Sequence, residues 1–135
     1  MNKRSRRAFL ATSVLATAGT VVAQANSNTK NPSFVIHQVF FWLKNSGSVS
    51  DREKLSEGLQ KLSSIPQIKK LYIGFPASTE KREVVDNSWD VSELMFFEDL
   101  TAQKTYQDHP LHQDFIQQYA HLWEKVIVYD TLSIE

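Results

Sequence analysis

The sequence predicts an α+β fold, a ferredoxin-like split βαβ sandwich with a four-stranded antiparallel sheet and helices on one face. Three observations predict it. Hydrophobic periodicity alternates between strand and helix spacing in the order β-α-β-β-α(α)-β. The first strand is apolar on both faces, and helices on one side can cover only one of them. The chain has 135 residues, and a leader of 25 leaves 110 for the fold, enough for one domain. A second copy of the sheet is then the economical cover for the remaining face. A homodimer whose sheets close into a dimeric α/β barrel is therefore expected.

Phe34–Leu43 (FVIHQVFFWL) is the first strand, with alternating sets Phe34/Ile36/Gln38/Phe40/Trp42 and Val35/His37/Val39/Phe41/Leu43. Asn45–Val49 is a turn. Ser50-Asp51-Arg52-Glu53 has the form of a capping box, in which Ser50 accepts from the third helical N–H and Glu53 reaches back. Leu55, Leu59 and Leu62 then mark an amphipathic helix to about Ser63, closed by Pro66. Ile68–Phe75 is the second strand. A polar connection follows over Pro76–Ser88. Trp89–Glu98 is the third strand, with Trp89/Val91/Glu93/Met95/Phe97 on one face.

Asp99 can cap a short helix over Leu100–Gln107. Pro110 interrupts it, disfavouring helical geometry at His109 and suiting the first position of a new helix. That helix runs to about Leu122 with Leu111, Phe115, Tyr119 and Leu122 on one face. Lys125–Ile134 is the last strand. Trp42, Trp89 and Trp123 are expected in the core or at the dimer interface.

Charge is distributed unevenly along the chain. Lys3, Arg4, Arg6 and Arg7 are the only charges in residues 1–25, so the remainder holds 11 basic and 15 acidic groups, a balance of −4. An acidic body argues against nucleic acid or an anionic membrane surface as partner. Ser5-Arg6-Arg7-Ala8-Phe9-Leu10 resembles a twin-arginine export motif, a modestly apolar stretch follows, and Ala23-Gln24-Ala25 has the form of a signal-peptidase site. Residues 1–25 are thus expected to be a cleaved leader and 26–33 a disordered linker. The folded domain spans 34–135, with a periplasmic or extracellular destination in a bacterium. Cysteine is absent, which excludes disulfides, thiolate metal sites, Cys nucleophiles and a lipoprotein anchor. A protein folded before export could not rely on disulfides formed later.

The ordered set Val35-Ile36-His37, Ile65-Pro66, Tyr72-Ile73-Gly74, Phe97-Glu98-Asp99, Tyr106-x-x-His109-Pro110-x-His112-x-x-Phe115 and Val128-Tyr129-Asp130 resembles the stress-responsive dimeric α/β-barrel (Dabb) family. The resemblance covers Phe34–Ile134 and implies the same protomer and dimeric barrel. Some members cyclise polyketide-type substrates by cofactor-free acid/base chemistry. The resemblance implies Tyr106 and His112 as their working pair, and a cavity-lining role for His37.

Physical reasoning gives the same residues possible work. His112 falls on the first turn of its helix, where unpaired N–H groups and the helix dipole disfavour added positive charge. A neutral imidazole is what a general base requires. A neighbouring phenol can hold a carbonyl and the enolate formed from it. Alternatively, Tyr106, His109 and His112 only cap and bridge the broken helix. His37 shares a face with Val39 and Phe41; if that face lines the barrel, His37 is a polar group at an apolar cavity, and otherwise it is a hydrogen-bonded core residue. His37, Val39, Phe41 and His109 are thus the expected ligand-contacting residues.

No metal is expected, because His109 and His112 alone do not make the three or four convergent ligands a site needs. No cofactor is expected either: the four glycines, at 19, 47, 58 and 74, form no phosphate loop. Three functions remain open. The lead is an exported protein binding a small apolar or aromatic ligand. The second is a cofactor-independent cyclase- or isomerase-like lyase with His112 as base and Tyr106 as electrophilic partner. The third is a structural stress-protection dimer.

Overall fold

The structure is a computed structural model and describes residues 33–134. The expected leader and nearly all of the linker lie outside the described residues, so Arg6, Arg7, Ala23 and Ala25 have no structural counterpart here.

The chain forms β1 (Val35–Leu43), α1 (Val49–Lys61), β2 (Lys70–Gly74), β3 (Val91–Phe97), α2 (Leu100–Asp108), α3 (Pro110–Tyr119) and β4 (Trp123–Leu132). Single 3₁₀ turns, Leu62–Ser64 and Ala120–Leu122, tighten the ends of α1 and α3. The strands lie in the order β2-β3-β1-β4, and every neighbouring pair is antiparallel. This is the expected split βαβ topology.

The first helix starts earlier than the Ser50–Glu53 box predicts. Ser48 is its N-cap, extended at φ −66° and ψ 112°, and its hydroxyl accepts from the Asp51 N–H at 3.2 Å. The preceding turn selects that cap. Gly47 takes φ +81°, a conformation that favours glycine. Asp90, just before β3, fixes the turn from the other side. Its carboxylate accepts from the Leu43 N–H at 2.8 Å and from the Ser46 hydroxyl and Gly47 N–H at 3.2 Å each.

The core sits between one sheet face and the helices. Val35, Val39, Phe41 and Leu43 of β1 and Val91, Met95 and Phe97 of β3 meet Leu55 and Leu59 of α1, Tyr106 of α2 and Phe115 of α3. The opposite face carries Ile36, Gln38, Phe40 and Trp42 with Leu94 and Phe96, all half-buried, and no described element covers it. Aromatic pairs spread across that face: Phe40–Trp89 at 5.1 Å, Phe40–Tyr129 at 6.2 Å and Tyr72–Phe96 at 6.4 Å between centroids. Tyr72 and Tyr129 remain 55 % and 57 % exposed there.

The burial alternation decides which face of β1 the helices cover. His37, Val39 and Phe41 belong to the set packed under the helices, not to the open face a second sheet would meet. A bulge in the β1–β4 ladder adds a further member to the helix side. Trp42 pairs with Lys125 but Leu43 pairs with Trp123, so one β4 residue is skipped. The skip turns Trp123 onto Phe41 and Phe115, with ring centroids 5.1 and 5.8 Å away.

Candidate functional site

The break between α2 and α3 builds one wall of the site. His109 precedes Pro110 and is extended at φ −65° and ψ 138°, so α2 cannot continue. The His109 ring caps the new helix, its Nδ1 accepting from the Leu111 N–H at 3.1 Å. His112 is the third residue of α3, and its Nδ1–H donates to the Gln107 carbonyl at 3.1 Å. That bond returns the imidazole to the last turn of α2, where its ring lies 4.8 Å from that of Tyr106.

The opposite wall is the sheet. His37 and Asp130 face each other across the β1–β4 ladder, and His37 Nδ1 lies 2.5 Å from Asp130 Oδ1. The His37 ring sits edge-on to Tyr106 at 5.7 Å. Glu93 of β3 completes the polar group. Its Oε1 is 3.8 Å from His37 Nε2, and its carboxyl lines the same cavity as the Tyr106 phenol. Four of these five side chains come from residues at most 8 % exposed: His37 4 %, Glu93 2 %, Tyr106 1 % and His112 8 %. Asp130 is the exception, with half its side chain in solvent.

Together they line a cavity of about 170 Å³, whose other walls include Val39, Phe41, Phe115, Ile116, Trp123, Val126 and Val128. A dry cavity of ~150 Å³ accepts benzene, so this volume suits a single-ring molecule. No Lys or Arg is among the lining residues. An anionic ligand would find no counter-charge there, whereas a neutral apolar molecule with one oxygen would find donors and acceptors at one end.

Electrostatics follow from burial. Burial pushes the Glu93 carboxyl up to about 8, against a smaller lowering by the neighbouring Tyr106 phenol. The Tyr106 phenol is held above its ordinary range by burial, then by neighbouring Glu93 and the charge of Asp130. His112 is held below the ordinary histidine value, first by burial and further by nearby His37; the bond to Gln107 works the other way. The sequence argument for a neutral His112 rested on the helix N-terminus. The direction is as expected, but the causes that lower it are burial and His37.

The tautomer adds a constraint. With Nδ1–H spent on the Gln107 carbonyl, Nε2 of neutral His112 carries the free lone pair. A neutral imidazole acceptor and a buried phenol thus line one apolar cavity.

Of the sequence-predicted residues, His37, Val39, Phe41, Tyr106 and His112 converge on this cavity. His109 does not: it caps α3 and lies outside the lining, because its ring is committed to the Leu111 N–H. Two polar residues escaped the sequence reading. Glu93 was visible as the one carboxylate in the otherwise apolar set Trp89/Val91/Met95/Phe97. Asp130 lacked such a signal, since its value depends on standing opposite His37. Among the described residues, no cluster of three or more His, Asp or Glu side chains is placed to hold a metal.

A second cavity of about 340 Å³ lies toward the β2 edge, lined by Phe34, Lys69, Lys70, Tyr72, Phe96, Phe97 and Glu98. It has no comparable convergence of buried polar groups.

Comparison with known proteins agrees with this architecture. A dimeric ferredoxin-like protein of unknown function from Thermobifida fusca is 17 % identical, with TM-score 0.62, covering 76 % of this chain and 93 % of its own. A Dabb family protein with a ferredoxin-like fold from Mesorhizobium loti is 22 % identical, with TM-score 0.62, over 76 % and 99 % of the two chains. The hydroxynitrile lyase of Passiflora edulis is 20 % identical, with TM-score 0.64, over 77 % and 96 %. No curated protein sequence matches the chain. The sequence model described as "Stress responsive A/B Barrel Domain" matches residues 35–133. With that match spanning the whole described fold, the chain belongs to the stress-responsive A/B barrel domain family.

Proposed function

We propose that the protein is an exported homodimer that binds a small, neutral, apolar or aromatic molecule in the cavity between β1, β4 and α3. The observation that carries this reading is the convergence of His37, Glu93, Tyr106 and His112 at one end of an otherwise apolar cavity with no cationic side chain. The dimer is supported by the uncovered aromatic sheet face and by the dimeric state of the Thermobifida relative. Because the cavity lies under each protomer's own helices, each subunit carries its own site. Export rests on Arg6, Arg7, Ala23 and Ala25, and N-terminal sequencing of the exported protein tests it: a chain starting at Asn26 is expected, and an intact Met1 would contradict it.

Acetophenone and benzoate test the binding reading, being similar in size and different in charge. Acetophenone should bind and benzoate should bind at least about tenfold more weakly, as an anion without a partner requires. Equal affinity, or stronger benzoate binding, would overturn the reading.

A second reading, cofactor-free lyase chemistry, is favoured by the His112 tautomer. Nε2 of His112 would take a proton from the ligand while the Tyr106 phenol holds its oxygen. Because the Passiflora relative is a hydroxynitrile lyase, mandelonitrile is a suitable probe. His112 would accept the hydroxyl proton, the carbon–carbon bond to the nitrile would break, benzaldehyde would form, and cyanide would leave and regain a proton. Tyr106→Phe and His112→Ala should each abolish such turnover with the dimer intact. If the wild-type protein binds acetophenone yet leaves mandelonitrile and related carbonyl adducts untouched, binding alone stands.

A further inference from the structure

We propose that Trp123 is the specificity-determining residue of the cavity: its indole closes the end opposite the polar groups and sets the length of the molecule the site accepts. The proposal rests on reading the cavity as a ligand site. It narrows the ligand class to a single ring with its oxygen at one end and no chain at the other.

Three elements give the cavity a direction. Along β1 its lining runs His37, Val39, Phe41, and the paired β4 residues are Asp130, Val128 and Val126. Helix α3 follows the same course. It begins with His112 beside Tyr106, ring centroids 4.8 Å apart, and reaches Phe115 beside Trp123, 5.8 Å apart. One end therefore holds the imidazoles, the phenol and the carboxyls, and the other holds Phe41, Phe115 and Trp123. A ligand oxygen belongs at the first end, which turns the far side of its ring toward the indole. The exposed apolar lining residues are Ile116, Val126 and Val128, so the cavity opens along its side, between α3 and β4. Trp123 itself is half-buried.

The β-bulge is what puts an indole at that end. In an unbroken ladder Leu43 would pair with Glu124, and alternation from Val126 would aim that carboxylate at the apolar end. Skipping one residue leaves Glu124 exposed and gives its place to Trp123. The indole is then flanked by Phe41 at 5.1 Å and Phe115 at 5.8 Å. The backbone beside it is pinned, the Lys44 N–H donating to the Leu122 carbonyl at 2.9 Å. The indole cannot swing aside without giving up both ring contacts. A cavity of about 170 Å³ that ends on such a wall takes one ring and leaves no room for a chain para to the oxygen-bearing group.

Acetophenone and para-butylacetophenone share the oxygen and the ring and differ only by the chain at the far end. Wild-type protein should bind acetophenone at least about tenfold more tightly than the butyl compound, and Trp123→Ala should reverse the preference by at least about tenfold. Trp123→Leu keeps apolar packing against Phe41 and Phe115 and should shift the preference the same way; it decides the matter should the alanine variant not fold. In the wild-type protein the Trp123 indole N–H signal should move as acetophenone binds. Those of Trp42 and Trp89, committed to the Ser88 hydroxyl and the Asp86 carbonyl, should stay in place. Equal wild-type affinity for the two ketones would overturn the proposal and leave the ligand reading standing. So would a folded variant that binds acetophenone but gains nothing for the butyl compound, or a Trp123 signal unmoved by bound acetophenone. Failure of every form of the protein to bind either ketone would overturn both.

Discussion

His37 and Asp130 are directly opposed in the β1–β4 ladder, and their side chains meet at 2.5 Å, one ring buried and one carboxylate half in solvent. The pair fixes the imidazole by its Nδ1 and turns Nε2 toward Glu93. Because Asp130 is half exposed, its contribution is that of a screened pair. Asp130→Ala should cost only about 1 kcal/mol in denaturant unfolding, and Asp130→Asn, which keeps an acceptor, less. The larger effect should be on order: the His37 ring signals should broaden or double in Asp130→Ala and stay single in Asp130→Asn.

Stability should depend on pH through two buried groups that act in opposite directions. Glu93 is raised in the fold to about 8 from 4.5, so the unfolded chain releases its proton first. Its contribution is therefore present below about pH 4.5 and is lost as pH rises to about 8. His112 is lowered in the fold, so the unfolded chain takes up its proton first and stability falls as pH drops below 6.5. Glu93→Gln should remove the fall in stability between about pH 4.5 and about 8 and leave the His112-dependent fall below pH 6.5 in place. Chemical denaturation at a series of pH values measures both.

Gly58 should not tolerate alanine. In an exposed helix interior that exchange gains about 1 kcal/mol. Here an added Cβ would lie 2.7 Å from the Tyr119 ring. That ring is held by stacking on Phe115 at 5.5 Å and by Lys61, whose ammonium donates to the phenol at 2.9 Å. Gly58→Ala should destabilise by about 1–3 kcal/mol, and Gly58→Ala with Tyr119→Leu should recover much of the loss.

Asp90 should be the costliest polar residue outside the cavity. It holds the Leu43 and Gly47 N–H groups and the Ser46 hydroxyl on one buried carboxylate. Asp90→Ala leaves them unpaired and should cost about 3 kcal/mol. Thermal unfolding of Asp90→Ala against Asp90→Asn, which retains one acceptor, separates loss of the hydrogen bonds from loss of charge.

Much of this architecture is legible in the sequence because local physics decides it. Asp99 caps α2, accepting from the Ala102 N–H at 2.8 Å, and Pro110 breaks the helix where its ring forbids continuation. Those two features alone bring Tyr106 and His112 together. What escapes is decided by long-range pairing. Ser48 and Ser50 both precede acidic residues, and the choice between them depends on Asp90, about forty positions on. Trp123 reaches the cavity through a bulge that no periodicity announces. The side of β1 that meets the helices is also ambiguous, since both alternating sets are apolar. Glu93 alone carried a local signal, a carboxylate in an apolar row.

The central claim is that His37, Tyr106 and His112 line a site for a neutral ring-sized molecule. NMR of the histidine and tyrosine rings during titration with acetophenone tests it most directly. The account predicts saturable shifts at His37, Tyr106 and His112, with His121, which is exposed and outside the cavity lining, unmoved. Shifts confined to Tyr72 on the open sheet face, or none at any ring, would contradict it.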